Sequence, residues 1–296
     1  MSTRAAPVRS RQARLGEVVR TSRVTPHMIR VVLGGSGLAG FEVGEFTDHY
    51  VKLLFPPAGA EYSTPFDVDQ IQAQRPRSQW PVTRSYTVRA WDAEQAELTV
   101  DFVYHGDHGL AGPWAAAARP GDVISFFGPG GGYAPDPQAD SHLLVGDESA
   151  LPAIAATLGR LPEGIAATVV IEVEDEQEHQ LLESPGLLDV TWVDRLGAPA
   201  PVGAAVASHV RALSWPGGDV QAFVHGEASL VKEVRHHLRF ERGVPRERIS
   251  ASGYWRRGLT DEGWRATKKD WTREVERDEQ EHTPSSEPGT FGAAGD

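Results

Sequence analysis

The sequence has no cysteine, and only four of its 29 basic residues are lysine: Lys52, Lys232, Lys268 and Lys269. Without thiols there is no disulfide framework, no thiolate nucleophile, no thiolate-held iron–sulfur cluster and no Cys-type zinc site. Positive charge is also in short supply. Lys+Arg 29 against Asp+Glu 41 gives a net charge of −12, the wrong sign for tracking a phosphate backbone, so no nucleic-acid partner is expected. No apolar run approaches the ~18 residues that a membrane span needs. Arg4, Arg9, Arg11 and Arg14 are not followed by an apolar h-region, so no secretory leader is read. What is present is ordinary globular usage, 40% hydrophobic and 24% charged in 296 residues. At about 150 residues per domain that length suggests two domains. A cytoplasmic monomer is expected.

The two halves differ in texture. Short β-rich runs at 15–23, 28–33, 49–55, 83–89, 98–104 and 123–127 are separated by turn chemistry, with one Ala-rich helix over 114–118. Such spacing predicts an antiparallel sandwich or barrel. After Pro135-Asp136-Pro137 the pattern changes to strands at 142–145, 168–173, 190–193, 220–224 and 249–255. Helical patterns over 150–158, 202–213 and 229–240 are interleaved with them, which predicts a parallel α/β sheet. We therefore expect a barrel over 15–137, an α/β domain over 138–257, a C-terminal helix over 258–277 and a disordered acidic tail over 278–296. A barrel followed by a parallel sheet is the layout of flavin reductases, with a nicotinamide at the sheet's carboxyl edge.

One motif misleads. Gly35 to Gly40 spells G-x-G-x-x-G directly after a strand, but Gly44 and another strand follow where a phosphate-binding helix should open, so it reads as a turn. Arg84-Ser85-Tyr86-Thr87 carries more. On a strand, Arg84 and Tyr86 share a face, offering a guanidinium to a phosphate and a ring to a flat heterocycle. Taken alone, a solvated Arg84 and a core Tyr86 explain it as well. From Asp101 through Val103 and His105 the chain runs into a glycine loop, and Gly109, Leu110, Ala111, Gly112, Pro113 and Trp114 open a helix with no carboxylate in its first turn. That is a ready place for a diphosphate. His105 and His108 lack a third ligand nearby, so no metal is expected.

In the second half, Gly146-Asp147-Glu148-Ser149-Ala150 sits where a nicotinamide-binding loop belongs, yet its acids would repel a pyrophosphate: either the phosphates bind elsewhere or the loop shapes the nicotinamide pocket, with Ser149 as a plain helix cap the alternative. His225-Gly226-Glu227 ends another strand at the same edge. Glu172 reads equally as a ribose ligand or a solvated carboxylate. Tyr254-Trp255 closes the last strand, and Arg256, Arg257, Lys268 and Lys269 form a basic cluster.

Five blocks in order, RSYTVR, DFVYHGDHG with AGPWA and RPGD, GDESALPAI, HGEASLVKEVR and GYWRRG, resemble the siderophore-interacting protein family across 15–271. These are FAD-dependent ferric-siderophore reductases related to ferredoxin–NADP reductases. The resemblance implies FAD held by Arg84, Tyr86, Thr87, His105 and the segment from Gly109 to Trp114, and NADH or NADPH at the sheet edge. It also implies a ferric siderophore near Lys52, Arg256 and Lys268 or Lys269. The sequence departs from the family at Leu110, where the common motif has proline. The chemistry belongs to the flavin, so no catalytic side chain is expected. A general flavin or ferredoxin-type reductase, a ferredoxin as donor, and a flavoprotein that only carries siderophores remain as alternatives.

Overall fold

The computed structural model describes residues 13–196 and 201–282. Seven strands form one antiparallel sheet: β1 (Arg14–Thr25), β2 (Met28–Gly34), β3 (Tyr50–Phe55), β4 (Val82–Thr87), β5 (Ala90–Asp92), β6 (Glu97–Val103) and β7 (Val123–Gly130). Their order is β4-β3-β7-β1-β2-β6-β5. Alternation decides which face is buried. Ile29, Val31 and Leu33 on β2, with Leu98, Val100 and Phe102 on β6, point into one core. The sheet curls into a barrel-like shape, so that Tyr86 of β4 lies 4.4 Å, ring to ring, from Phe102 of β6. Between β3 and β4 runs α1 (Val68–Gln74), and α2 (Ala111–Ala117) plugs the barrel with Ala111, Ala115 and the adjoining Ala118.

The second half is a five-stranded parallel sheet of order β10-β9-β8-β11-β12. Its elements are β8 (Ser141–Asp147), α3 (Leu151–Leu158), β9 (Ala166–Val173), β10 (Leu187–Asp194), α4 (Ala204–Ala212), β11 (Val220–Glu227), α5 (Ala228–His236) and β12 (Ile249–Trp255). Central β8 is buried along its whole length, as expected of a parallel strand covered on both faces. The chain then enters α6 (Asp261–His282), whose inward stripe carries Trp264, Trp271 and Val275.

Two results differ from expectation. The Ala-rich helix opens at Ala111, three residues before Trp114. Helix α6 continues to His282 instead of ending at 277, because Asp278 and Glu279 pair with Lys232 and Arg235 of α5. The remainder of the acidic tail, 283–296, lies outside the described residues. The decoy glycines form a 3-10 turn, Ser36–Leu38, where a Cβ on Gly37 would overlap the Leu15 carbonyl. Gly37 is thus a packing residue.

The halves are sewn together. Buried Glu178 accepts from the Thr25 hydroxyl at 2.5 Å and the His27 amide at 3.0 Å, capturing the β1–β2 turn. The hydroxyls of Thr157 and Thr47 meet at 2.8 Å. Met28 and Tyr133 pack in one cluster with Leu144 and Phe223 of the other half.

Candidate functional site

Strand β4 meets the start of α6 through Arg84 and Arg265, and Phe102 of β6 stands between Tyr86 of β4 and Trp114 of α2. Ser85 is exposed and Thr87 buried, so Arg84 and Tyr86 share the other face as their spacing predicts. Tyr86 is backed by Phe102, and burial pushes its phenol far above the ordinary range. Beyond β6, Gly106 and Gly109 take φ of 71° and 82°, which favour glycine and turn the chain past exposed His105. The first turn of α2 has no side-chain cap and no acid, so its leading amides are left for a ligand. A Cβ on Gly112 would sit 3.2 Å from the Val103 carbonyl, so this glycine sets the close approach of α2 to β6. Trp114 lies 5.6 Å from Phe102 and 6.2 Å from Phe55. A ring platform beside uncapped amides fits a flavin dinucleotide.

One expected flavin contact is corrected and another is already paired within the chain. Asp101 is buried, with both oxygens held at 2.7 Å by Arg30, and has nothing left for a cofactor. The Arg84 guanidinium is not open. It pairs with Asp261 at 3.1 Å and with Glu262, both in the first turn of α6, and donates to the Thr83 carbonyl at 3.0 Å.

At the carboxyl edge of the parallel sheet the expected residues do converge, but on one another. Asp147, wholly buried, accepts from the Ser149 amide and hydroxyl on one oxygen, at 2.9 and 2.5 Å. Its other oxygen accepts from the Glu227 amide at 2.7 Å and the Trp255 indole at 2.8 Å. Burial still raises its pKa, with Glu148 adding to the effect. Ser149 therefore does not cap α3, whose N-cap position is Ala150. Glu148 is held by Arg195 through two bonds, at 2.9 and 2.5 Å. Glu172 is neither solvated nor free for a ribose. It is 2% exposed, accepts the Gly203 amide at 2.9 Å, and lies 3.5 Å from Arg195. Glu227 caps α5 through the Ser229 and Leu230 amides.

Gly146, Gly226 and Ala150 serve packing. A Cβ on Gly146 would come 2.7 Å from the His225 carbonyl, one on Gly226 2.6 Å from the Asp147 carboxylate, and Ala150 is fully buried. His225 stacks on Phe223 at 3.7 Å and bonds the Tyr254 hydroxyl and Ser250, at 2.9 and 3.0 Å. Burial, then the charge of Lys268, lowers its pKa to about 3, so the ring is neutral.

The basic residues divide. Lys268 is half-buried, bonds the Ser252 hydroxyl at 3.3 Å, and has its pKa lowered by burial. Lys269 is exposed beside it. One turn earlier, Arg265 donates to the Thr83 carbonyl at 2.6 Å, which brings this part of α6 onto β4. Lys52 is exposed on β3, opposite Ser85 of β4. Arg256 instead lines a groove between α5 and α6 with Lys232 and Trp271 and leaves the cluster.

Sequence reasoning missed Arg195, Asp261, Glu262 and Arg265. Arg195 sits in a loop 47 residues from Glu148 with no motif to mark it. Acids opening α6 read as ordinary matches to a helix dipole.

A family model described as the siderophore-interacting FAD-binding domain matches residues 17–133, and the siderophore-interacting protein model matches 139–258. The ferric vibriobactin reductase of Vibrio cholerae is 34% identical over 258 residues, covering 85% of this chain and 92% of that protein. The NADPH-dependent ferric-chelate reductase of Escherichia coli is 30% identical, over 80% of this chain and 91% of its own. A crystal structure of a siderophore utilization protein from T. fusca superposes with a TM-score of 0.72 at 38% identity, covering 84% and 94% of the two chains.

Proposed function

The chain belongs to the siderophore-interacting protein family, and on that footing we propose that it is a ferric-siderophore reductase that holds FAD and draws electrons from NADH or NADPH. The observation that supports this reading is the set of contacts around β4: Tyr86 lies against Phe102, Phe102 against Trp114 of α2, and Arg84 and Arg265 fasten β4 to the start of α6. Bound FAD supplies hydride acceptance from a nicotinamide and single-electron delivery to the ferric ion, which a siderophore binds far less tightly once reduced.

The protein's part is placement and electrostatics. Tyr86 gives a flat ring face, and the first amides of α2 meet a diphosphate. Arg84 exchanges part of its pairing with Asp261 and Glu262 for a phosphate oxygen. The acids at the sheet edge are already satisfied within the chain, so a nucleotide meets a rigid wall there and its phosphates lie away from Asp147 and Glu148. Lys52, Lys268 and Lys269 add local positive charge to a chain of net charge −12, and so draw in an anionic chelate.

Purified protein should retain FAD, and Arg84→Ala should weaken it by roughly 1.5–3 kcal/mol, the cost of one charge-assisted contact. Equilibrium dialysis against FAD measures this directly. Wild-type affinity in the variant would remove Arg84 from the site.

A further inference from the structure

The outer wall of the barrel has a second feature, which the flavin cleft does not use. Along β2 and β6, Arg30, Val32, Thr99 and Asp101 alternate with the core residues and so face outward. On β1, Arg20 and Ser22 pair with Val32 and Arg30 and so share this outer face, with Thr21 between them. Together with Arg89, just after β4, they enclose a cavity of about 320 Å³, at the small end of ligand-site volumes, ~300–1,000 Å³. None of Arg84 to Thr87, and none of the α2 turn, lines it.

Three guanidiniums converge here, and two are fully engaged. Arg20 binds Glu97 through both ends of its fork, at 2.8 and 2.7 Å, with Asp92 adding a more distant charge. Arg30 takes both oxygens of Asp101 at 2.7 Å. Arg89 is the exception. Its side chain is 29% exposed, and its one ion-pair partner among the described residues is the already occupied Asp101, 3.9 Å away. Burial and the neighbouring Arg30 both disfavour its charge, with Asp101 opposing them. A guanidinium carries five donors and stays charged, so a half-buried one with a single distant acceptor is left to water or to an anion. Ser22 and Thr99, which pair with Arg30 and Val32 on the same face, supply hydroxyls on the wall.

We propose that this cavity binds a phosphate-class oxyanion, free phosphate or the phosphate of a small phosphomonoester, with Arg89 as its principal donor. A tetrahedral oxyanion with several acceptor oxygens matches a fork flanked by hydroxyls better than a carboxylate with two does. The cavity also leaves room for a substituent beyond the phosphate.

The test titrates inorganic phosphate, and separately AMP, into the full-length FAD-loaded protein by calorimetry, so that the diphosphate site is already filled. Saturable phosphate binding is expected, weakened at least tenfold in Arg89→Gln. Tighter AMP binding with the same Arg89 dependence would identify a phosphomonoester, and AMP no tighter than phosphate would identify free phosphate. Arg89→Lys keeps the charge but loses the fork and should bind several-fold more weakly, which covers the case of a poorly folded Arg89→Gln. The absence of saturable phosphate binding to the wild type, or binding that neither variant changes, would overturn the site.

Discussion

Asp147 shows why the sheet edge resists a simple motif reading. A carboxylate with four donors aimed at it reads in sequence as a repulsive acid in a nucleotide loop, yet its donors come from Ser149, Glu227 and Trp255. Asp147→Asn would turn an amide N–H toward groups that themselves donate. It should cost about 2–4 kcal/mol of stability, measured by urea unfolding, since each lost charged hydrogen bond is worth ~1.5–3 kcal/mol. His225 makes a second prediction. Its folded pKa is about 3, against ~6.5 unfolded, so between those values the unfolded chain binds a proton that the folded chain refuses. This group's contribution to stability is therefore lost as pH falls below ~6.5, at up to ~1.4 kcal/mol per pH unit. His225→Gln keeps polar partners for Ser250 and Tyr254 but cannot titrate. Its unfolding midpoint should fall less between pH 7.5 and pH 5 than that of the wild type, and equal slopes would contradict a neutral His225.

At the scale of elements, patterning located most of the fold. The strand predicted over 249–255 appears with those bounds, as β12 (Ile249–Trp255), because Gly and Arg punctuate it on both sides. The short elements escaped. The helix α1 has two buried residues, Val68 and Ile71, and β5 has three residues in all, too little periodicity to read. The far end of α6 was lost to composition: an acidic run reads as unstructured until Lys232 and Arg235 of α5 are placed beside it. The same gap hid the role of α6 at the cleft, where Asp261, Glu262 and Arg265 fasten it to β4. Lys268, three residues on from the Arg265 that reaches β4, bonds Ser252 of β12, and Lys52→Ala with Lys268→Ala tests the purpose of these lysines. KM should rise more for an anionic ferric tricatecholate than for a neutral ferric trihydroxamate. The difference should shrink as salt rises, because exposed charges are screened within ~8–10 Å. Equal, salt-independent losses would leave these lysines without a part in substrate capture.

Across the whole molecule, two sheets of opposite character share one seam. The barrel's β1–β2 turn is held by Glu178, and the C-terminal helix α6 returns to β4. The two halves were legible in sequence because each rests on local pattern, as does the shared face of Arg84 and Tyr86 on β4. Charge pairing across the seam was not, since Arg84 and Glu262 are 178 residues apart. The proposed electron path runs from a pyridine nucleotide through FAD to a ferric chelate. It is tested by an anaerobic absorption spectrum of the FAD-loaded protein after NADH or NADPH is added, followed by a ferric siderophore with a ferrous-specific chelator present. The account predicts that the flavin band bleaches with the nucleotide and returns with the siderophore as ferrous chelate appears. A flavin that no nucleotide bleaches, or one that the ferric siderophore leaves bleached, would contradict it.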